Sequence, residues 1–156
     1  MLPPARRNAI VAVWDFCRAV DDAVDEAVPE GEPVTDEVRR LAGAELVGWR
    51  EDVRRAFDGG EPATPQGRAI QPLVAEFGLQ REPFDDLIDG VEMDLHHDRY
   101  ETFDDLVEYC RRVASAVGLI CIRLFGCRDD TAREYAVNLG LALQVTNIIR
   151  DVGTDL

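Results

Sequence analysis

The sequence contains no lysine, no CxxC pair and no apolar run long enough to span a bilayer. All 17 basic residues are arginine, and 31 acidic residues bring the formal net charge to −14 at pH 7. Because this charge repels a phosphate backbone, we expect no nucleic-acid partner. The four cysteines lack the spacing of a zinc site or a disulfide framework, as expected in a reducing cytoplasm. The longest apolar run, Val113 to Ile122, contains Ser115, so we expect a cytoplasmic protein with at most peripheral membrane contact.

Strand-like alternation is also missing, and apolar residues recur at three- and four-residue spacing, which predicts an all-α fold. Six helices are predicted. The first carries the apolar stripe Ile10, Val13, Trp14, Cys17, Val20 and Val24. The fifth is predicted as one helix from Thr102 to Gly126, through Val113, Val117, Ile120 and Leu124. The expected N-caps and C-terminal glycines are Thr35, Thr64, Thr102, Gly59, Gly78 and Gly126.

With 46% hydrophobic residues, the chain has enough apolar material for the core of a single domain. The sixth helix, which begins near Asp130, is still in progress at Leu156, and Met1 is followed directly by Leu-Pro-Pro. We therefore expect residues 1–156 to be one partial domain, incomplete at both ends and marginal and inactive by itself.

A cluster of charged residues lies at the edge of the first apolar stripe. Arg18, Asp21, Asp22 and Asp25 project from about one helix face. Taken alone, this pattern favours a solvated acidic face. At a cavity mouth, however, the same carboxylates provide the oxygen ligands that Mg²⁺ prefers.

A second polar stripe lies on the last helix, at Gln144, Asn147, Asp151 and Asp155. Its surroundings, Leu139 to Ile149, are too apolar for a solvated helix, which favours a ligand or metal role. Two aspartate pairs on separate helices suit a reaction in which diphosphate leaves a carbon skeleton. The hydrocarbon part of such a substrate requires an apolar tunnel between helices.

Three segments resemble, in order, signatures of the squalene/phytoene synthase family. They are Phe16–Asp25, Tyr109–Gly118 and Ala142–Asp155. The resemblance implies an isoprenoid-synthase bundle in which two aspartate motifs face each other across a central cavity. It also implies Mg²⁺, for which Mn²⁺ can substitute, held by Asp21, Asp25, Asp151 and Asp155.

The resemblance further implies roles for other residues. Arg18 would contact diphosphate, Tyr109 would face the reacting carbons, and Asp94 would be an additional acid. Gln144 and Asn147 would line the cavity near the second metal site. The tunnel wall would consist of Val113, Ala114, Val117 and Gly118, for which ordinary helix packing is the alternative interpretation.

The implied reaction joins two farnesyl or geranylgeranyl diphosphates head-to-head. Within the family, the tyrosine signature is most similar to that of bacterial enzymes that make presqualene diphosphate for hopanoid pathways, and phytoene formation is the near alternative. NADPH would be needed only if the reaction continued to squalene. A second hypothesis is a head-to-tail prenyltransferase or terpene cyclase, which the Tyr109 segment disfavours. A third is a non-catalytic helical partner or a Ca²⁺-binding module, and against the latter the sequence contains no EF-hand loop.

Overall fold

The computed structural model describes residues 2–27, 34–96 and 99–152, and within these ranges it contains helices and no β-strand. The all-α prediction is therefore confirmed. The elements are α1 (Pro4–Asp25), α2 (Asp36–Asp58), α3 (Pro65–Phe77), α4 (Glu82–Met93), α5 (Phe103–Cys110), a π-helical turn (Arg111–Ser115), α6 (Ala116–Phe125) and α7 (Asp130–Val152). No helix among the described residues is both long and apolar enough to cross a membrane.

Helix boundaries follow local side-chain chemistry, as predicted. Each of the three threonine N-caps accepts a backbone N–H from the first turn, and Thr102 forms a reciprocal capping box with Asp105. Three helices end at a glycine with positive φ, a conformation that costs a residue with a Cβ about 1–2 kcal/mol. These residues are Gly59 at 81°, Gly78 at 64° and Gly126 at 85°.

The predicted fifth helix is wrong in one respect: it is not a continuous α-helix. Residues Arg111–Ser115 form a π-helical turn, in which the N–H of Ala116 reaches the carbonyl of Arg111. This hydrogen bond joins residues five positions apart, and the turn that it closes lies between α5 and α6. Such turns are rare and occur frequently at functional sites.

The core centres on Phe16, whose ring makes edge contacts with Trp49 and Phe84 at centroid distances of 5.6 and 5.3 Å. These contacts join α1, α2 and α4. Trp14 was predicted on the same apolar stripe, but its side chain is 64% exposed. The buried face of α1 therefore includes Phe16 and excludes Trp14.

A buried carboxylate fixes the start of α3. Asp52 is only 2% exposed and accepts hydrogen bonds from the backbone of Ala63 and Thr64 and from the Thr64 hydroxyl. A side chain at Gly67 would collide with this carboxylate. Asp52 therefore joins α2 to α3. In a chain with 31 acidic residues, the sequence did not distinguish this aspartate from surface carboxylates.

The helices that carry the two aspartate stripes lie on either side of α6. Both α1 and α7 pack against α6, and they are not among the helix pairs that pack closely with each other in the described part of the chain. The π turn lies between α4 and α7. This arrangement leaves an open cleft between α1 and α7.

Candidate active-site cleft

The cleft has a volume of about 300 Å³ and combines polar and apolar side chains from across the bundle. Helix α1 contributes one wall, α4 and the segment from α5 to α6 contribute the floor, and α7 contributes the opposite edge. The lining residues are Trp14, Cys17, Arg18, Asp21, Leu87, Val91, Tyr109, Val113, Val117 and Gln144.

The charged end of the cleft comes from one turn of α1. Arg18 and Asp21 line the cleft, and the guanidinium of Arg18 pairs with Asp22 at 2.9 Å. Partial burial raises the pKa of Asp21, and the neighbouring carboxylates of Asp25 and Asp22 raise it further, whereas Arg18 opposes the shift. The folded chain therefore disfavours negative charge at Asp21, and a cation bound there would relieve this repulsion.

Tyr109 and Asp94, predicted as catalytic residues, are in direct contact. The Tyr109 hydroxyl donates to Oδ2 of Asp94 at 3.2 Å, and its ring lies 5.2 Å from that of Tyr100. Burial raises the pKa of Tyr109, and the nearby Asp94 adds to the shift, so the phenol stays protonated. Asp94 itself is outside the set of residues that line the cleft.

An apolar groove of about 520 Å³ adjoins the cleft between α6 and α7. All four residues predicted for the tunnel wall line it: Val113, Ala114, Val117 and Gly118. Val113, Val117 and Gln144 line both cavities, so the groove continues directly from the charged cleft. This juxtaposition suits an amphiphile with an anionic head and a hydrocarbon chain.

The polar stripe of α7 is only partly brought to the cleft. Gln144 lines the cleft and the groove, and Asn147 lines the groove. Asp151 lies one turn beyond Asn147, where it pairs with Arg150 at 2.7 Å, and neither Asp151 nor Asp25 lines the cleft. Asp155 lies outside the described residues.

The donor set fits Mg²⁺ that is shared with a substrate. Among the described residues, no three His, Cys, Asp or Glu side chains are grouped closely enough to hold a metal ion by themselves. Mg²⁺ in phosphate-processing sites usually takes one or two carboxylates, with water and phosphate oxygens completing its shell. Of the predicted ligands that the structure describes, only Asp21 lines the cleft, so Asp21 is the carboxylate that such a shared Mg²⁺ would contact there.

Several lining residues were not predicted as site residues. Trp14 and Cys17 were assigned to the apolar stripe of the first helix, and Leu87 and Val91 of α4 carried no site prediction, yet all four line the cleft. Burial raises the pKa of the Cys17 thiol to about 12, so this side chain is a neutral wall residue. Hydrophobic periodicity does not distinguish a residue that faces a core from one that faces a cavity.

The whole chain, residues 1–156, matches the squalene/phytoene synthase family model. It is 40% identical over 156 residues to a presqualene diphosphate synthase from Rhodopseudomonas palustris and 39% identical over 156 residues to a phytoene synthase from Cereibacter sphaeroides. These matches cover 99% of this chain but only 52% and 43% of those proteins.

The fold is similar to that of squalene synthase HpnC from Alicyclobacillus acidocaldarius, with a TM-score of 0.82 and 36% sequence identity. That match covers 99% of this chain and 54% of the crystallised one. A dehydrosqualene synthase crystallised with a ligand matches with a TM-score of 0.78 at 31% identity. The chain thus spans about half the length of the relatives that it matches.

Proposed function

Because the chain belongs to the squalene/phytoene synthase family, we propose that the protein condenses two prenyl diphosphates head-to-head. The observation that carries this proposal is the continuity of the two cavities. The cleft with Arg18 and Asp21 opens into the apolar groove through the shared residues Val113 and Val117. Diphosphate would bind at the α1 end, and the prenyl chain would lie along the groove.

Asp21 lines the charged end of the cleft, and together with Asp25, Asp151 and Asp155 it would hold Mg²⁺, which when bound offsets the negative charge that develops on a leaving diphosphate. Arg18 would donate to the diphosphate oxygens. The side chain of Arg18 is 59% exposed in its ion pair with Asp22, so the pair is weak and the guanidinium can turn toward substrate at low cost.

In the proposed reaction, the C–O bond of the first substrate breaks and its electron pair leaves with diphosphate. The double bond of the second substrate then attacks the allylic cation, and ring closure with loss of one proton gives a cyclopropylcarbinyl diphosphate. The ring of Tyr109 would stabilise the cation through its face. The hydrogen bond to Asp94 holds that ring in place. Val91, Val113 and Val117 would keep water from the cation.

We favour farnesyl diphosphate as the substrate and presqualene diphosphate as the product, in line with the name of the relative at 40% identity. Geranylgeranyl diphosphate and phytoene are the second candidate pair, because a relative with that name is 39% identical. We also propose a cytoplasmic enzyme with peripheral membrane contact, since prenyl substrates and products partition into lipid.

The test is to express the protein from its complete coding sequence and supply each prenyl diphosphate separately with Mg²⁺. We expect diphosphate release and, without NADPH, a cyclopropylcarbinyl product that mass spectrometry detects from farnesyl diphosphate. Excess EDTA should abolish turnover. A parallel reaction with NADPH shows whether reduction to squalene follows. No diphosphate release from either substrate would reject the proposal and favour a non-catalytic helical partner.

A further inference from the structure

The π turn Arg111–Ser115 is held between two glycines on different helices. On α4, a Cβ at Gly90 would lie 2.7 Å from Cγ1 of Val113 and 2.8 Å from Cβ of Arg112. On α7, a Cβ at Gly140 would lie 2.7 Å from Cα of Ser115 and 2.8 Å from its backbone nitrogen. Such separations are well below ordinary van der Waals contact, so each approach requires glycine.

Polar contacts fix the same turn from both sides. The hydroxyl of Ser115, which is buried, donates to the carbonyl of Val137 on α7 at 2.8 Å. On the α4 side, Arg112 bonds Asp89 at 3.2 Å, and Asp89 also accepts from Arg50 of α2 at 2.6 Å. The π turn is therefore tied to α2, α4 and α7 together.

The residues adjoining the turn form the reactive wall of the cleft. Tyr109 lies two residues before the turn, Val113 lies within it, and Val117 lies two residues after it. All three line the cleft. A displacement of the π turn would move these three side chains together. It would leave Arg18 and Asp21 in place, because they lie on α1, which is not a close packing partner of the turn.

We propose that Gly90 and Gly140 are positioning residues: they allow α4 and α7 to close on the π turn and thereby set Tyr109 and Val113 against the substrate. The role in catalysis rests on the proposed function. The contacts to Gly140 are the more demanding, because the opposing atoms are backbone and no side-chain rotation relieves them. Gly90 opposes side-chain atoms as well, which can shift further.

The experiment compares Gly140→Ala with Gly43→Ala, a control in α2 whose added Cβ meets nothing within 4 Å. A second control, Ile70→Ala, destabilises the core away from the π turn. Hydrogen exchange of peptides covering residues 111–117 is measured by mass spectrometry. Steady-state kinetics with prenyl diphosphate and Mg²⁺ are recorded below all melting temperatures.

We expect Gly140→Ala to exchange faster at residues 111–117 and to lose on the order of ten- to a hundredfold in kcat. Its KM should change less than its kcat, since Arg18 and Asp21 lie on α1 and are unmoved. Gly43→Ala should change neither quantity, and Ile70→Ala should lower the melting temperature with kcat retained. Wild-type exchange in Gly140→Ala, or an equal kcat loss in Ile70→Ala, would overturn the proposal.

If Gly140→Ala does not fold, Ser115→Ala replaces it, because this change removes only the hydroxyl bond to Val137. The same direction of change in exchange and kcat is expected, with smaller size, and unchanged values would overturn the proposal. A wild-type enzyme that releases no diphosphate would reject the proposed function instead. Hydrogen exchange at residues 111–117 would still decide whether the glycines hold the turn.

Discussion

Replacing Asp21 by asparagine should change stability and activity in opposite directions. The folded chain holds the Asp21 proton more tightly than the unfolded chain does, because burial and the carboxylate of Asp25 raise its pKa. The stability this group contributes is therefore present below its ordinary pKa of 3.8 and is lost as the pH rises through the raised value. At pH 7 without metal, the ionised carboxylate opposes folding.

The size of the effect follows from the surroundings of Asp21. A like-charge pair at i and i+4 costs about 0.2–0.5 kcal/mol on a helix. The desolvation part is reduced because the side chain remains partly exposed. We therefore expect Asp21→Asn to stabilise the metal-free protein by about 0.5 kcal/mol, or roughly 1–2 °C in melting temperature. Loss of an Mg²⁺ ligand should lower kcat on the order of a hundredfold, about 2.7 kcal/mol of barrier.

The assay is differential scanning fluorimetry at pH 7, first in EDTA and then with Mg²⁺ and inorganic diphosphate, followed by turnover of farnesyl diphosphate. Ligand at about a hundred times its Kd would stabilise the wild type by about 2.7 kcal/mol, and the variant should lose most of this shift. Asp15→Asn is the matched control, since Asp15 is an exposed carboxylate of α1 outside the cleft. A less stable variant in EDTA would refute the electrostatic argument, and wild-type turnover would remove Asp21 from the metal site.

Three further changes test the surrounding structure. Asp52→Ala removes the buried carboxylate that accepts from the backbone of Ala63 and Thr64 and from the Thr64 hydroxyl, and it should cost about 2–4 kcal/mol in urea unfolding. A loss below about 1 kcal/mol would contradict its role in joining α2 and α3. Gly59→Ala should destabilise the protein by about 1–2 kcal/mol because φ is 81° there. Gly43→Ala should stabilise it by about 0.5–1 kcal/mol, because alanine is the better helix former and the added Cβ meets nothing within 4 Å. Thermal melts that rank the two variants the other way would refute this. Tyr109→Phe removes the bond to Asp94 and should cost about 1 kcal/mol of unfolding free energy, so an unchanged melting temperature would show the bond to be energetically silent.

The helix boundaries were predictable because they depend on residues close together in sequence. A threonine that accepts the N–H three residues later acts within one turn, and a glycine with positive φ ends a helix by its own backbone freedom. The fold class follows from the same local periodicity. These features need no knowledge of which helices are neighbours.

The π turn was not predictable on these grounds. Its residues carry the side-chain pattern of an ordinary helix, and what distinguishes it is the close approach of Gly90 and Gly140 from helices distant in sequence. The exposure of Trp14 was also not predictable from local sequence. Its spacing matched the buried stripe of α1, but whether that flank meets a core or an open cleft depends on where α7 lies.

The residues of the candidate site could be selected helix by helix, but their meeting in one cavity could not be predicted in this way. Asp21, Tyr109 and Gln144 were each selected from one helix, and nothing in a single helix states that they converge. They do converge on one cleft, because α1 and α7 share α6 as a neighbour without packing closely on each other. Polar residues in an apolar stretch of α7 were expected to need partners. At the shared edge of cleft and groove, Gln144 has the charged residues Arg18 and Asp21 in the cleft on one side and apolar residues of the groove on the other. An amphiphilic substrate makes the same two demands on a binding site, which is why the position of Gln144 supports the prenyl diphosphate hypothesis more strongly than the acidic stripes alone.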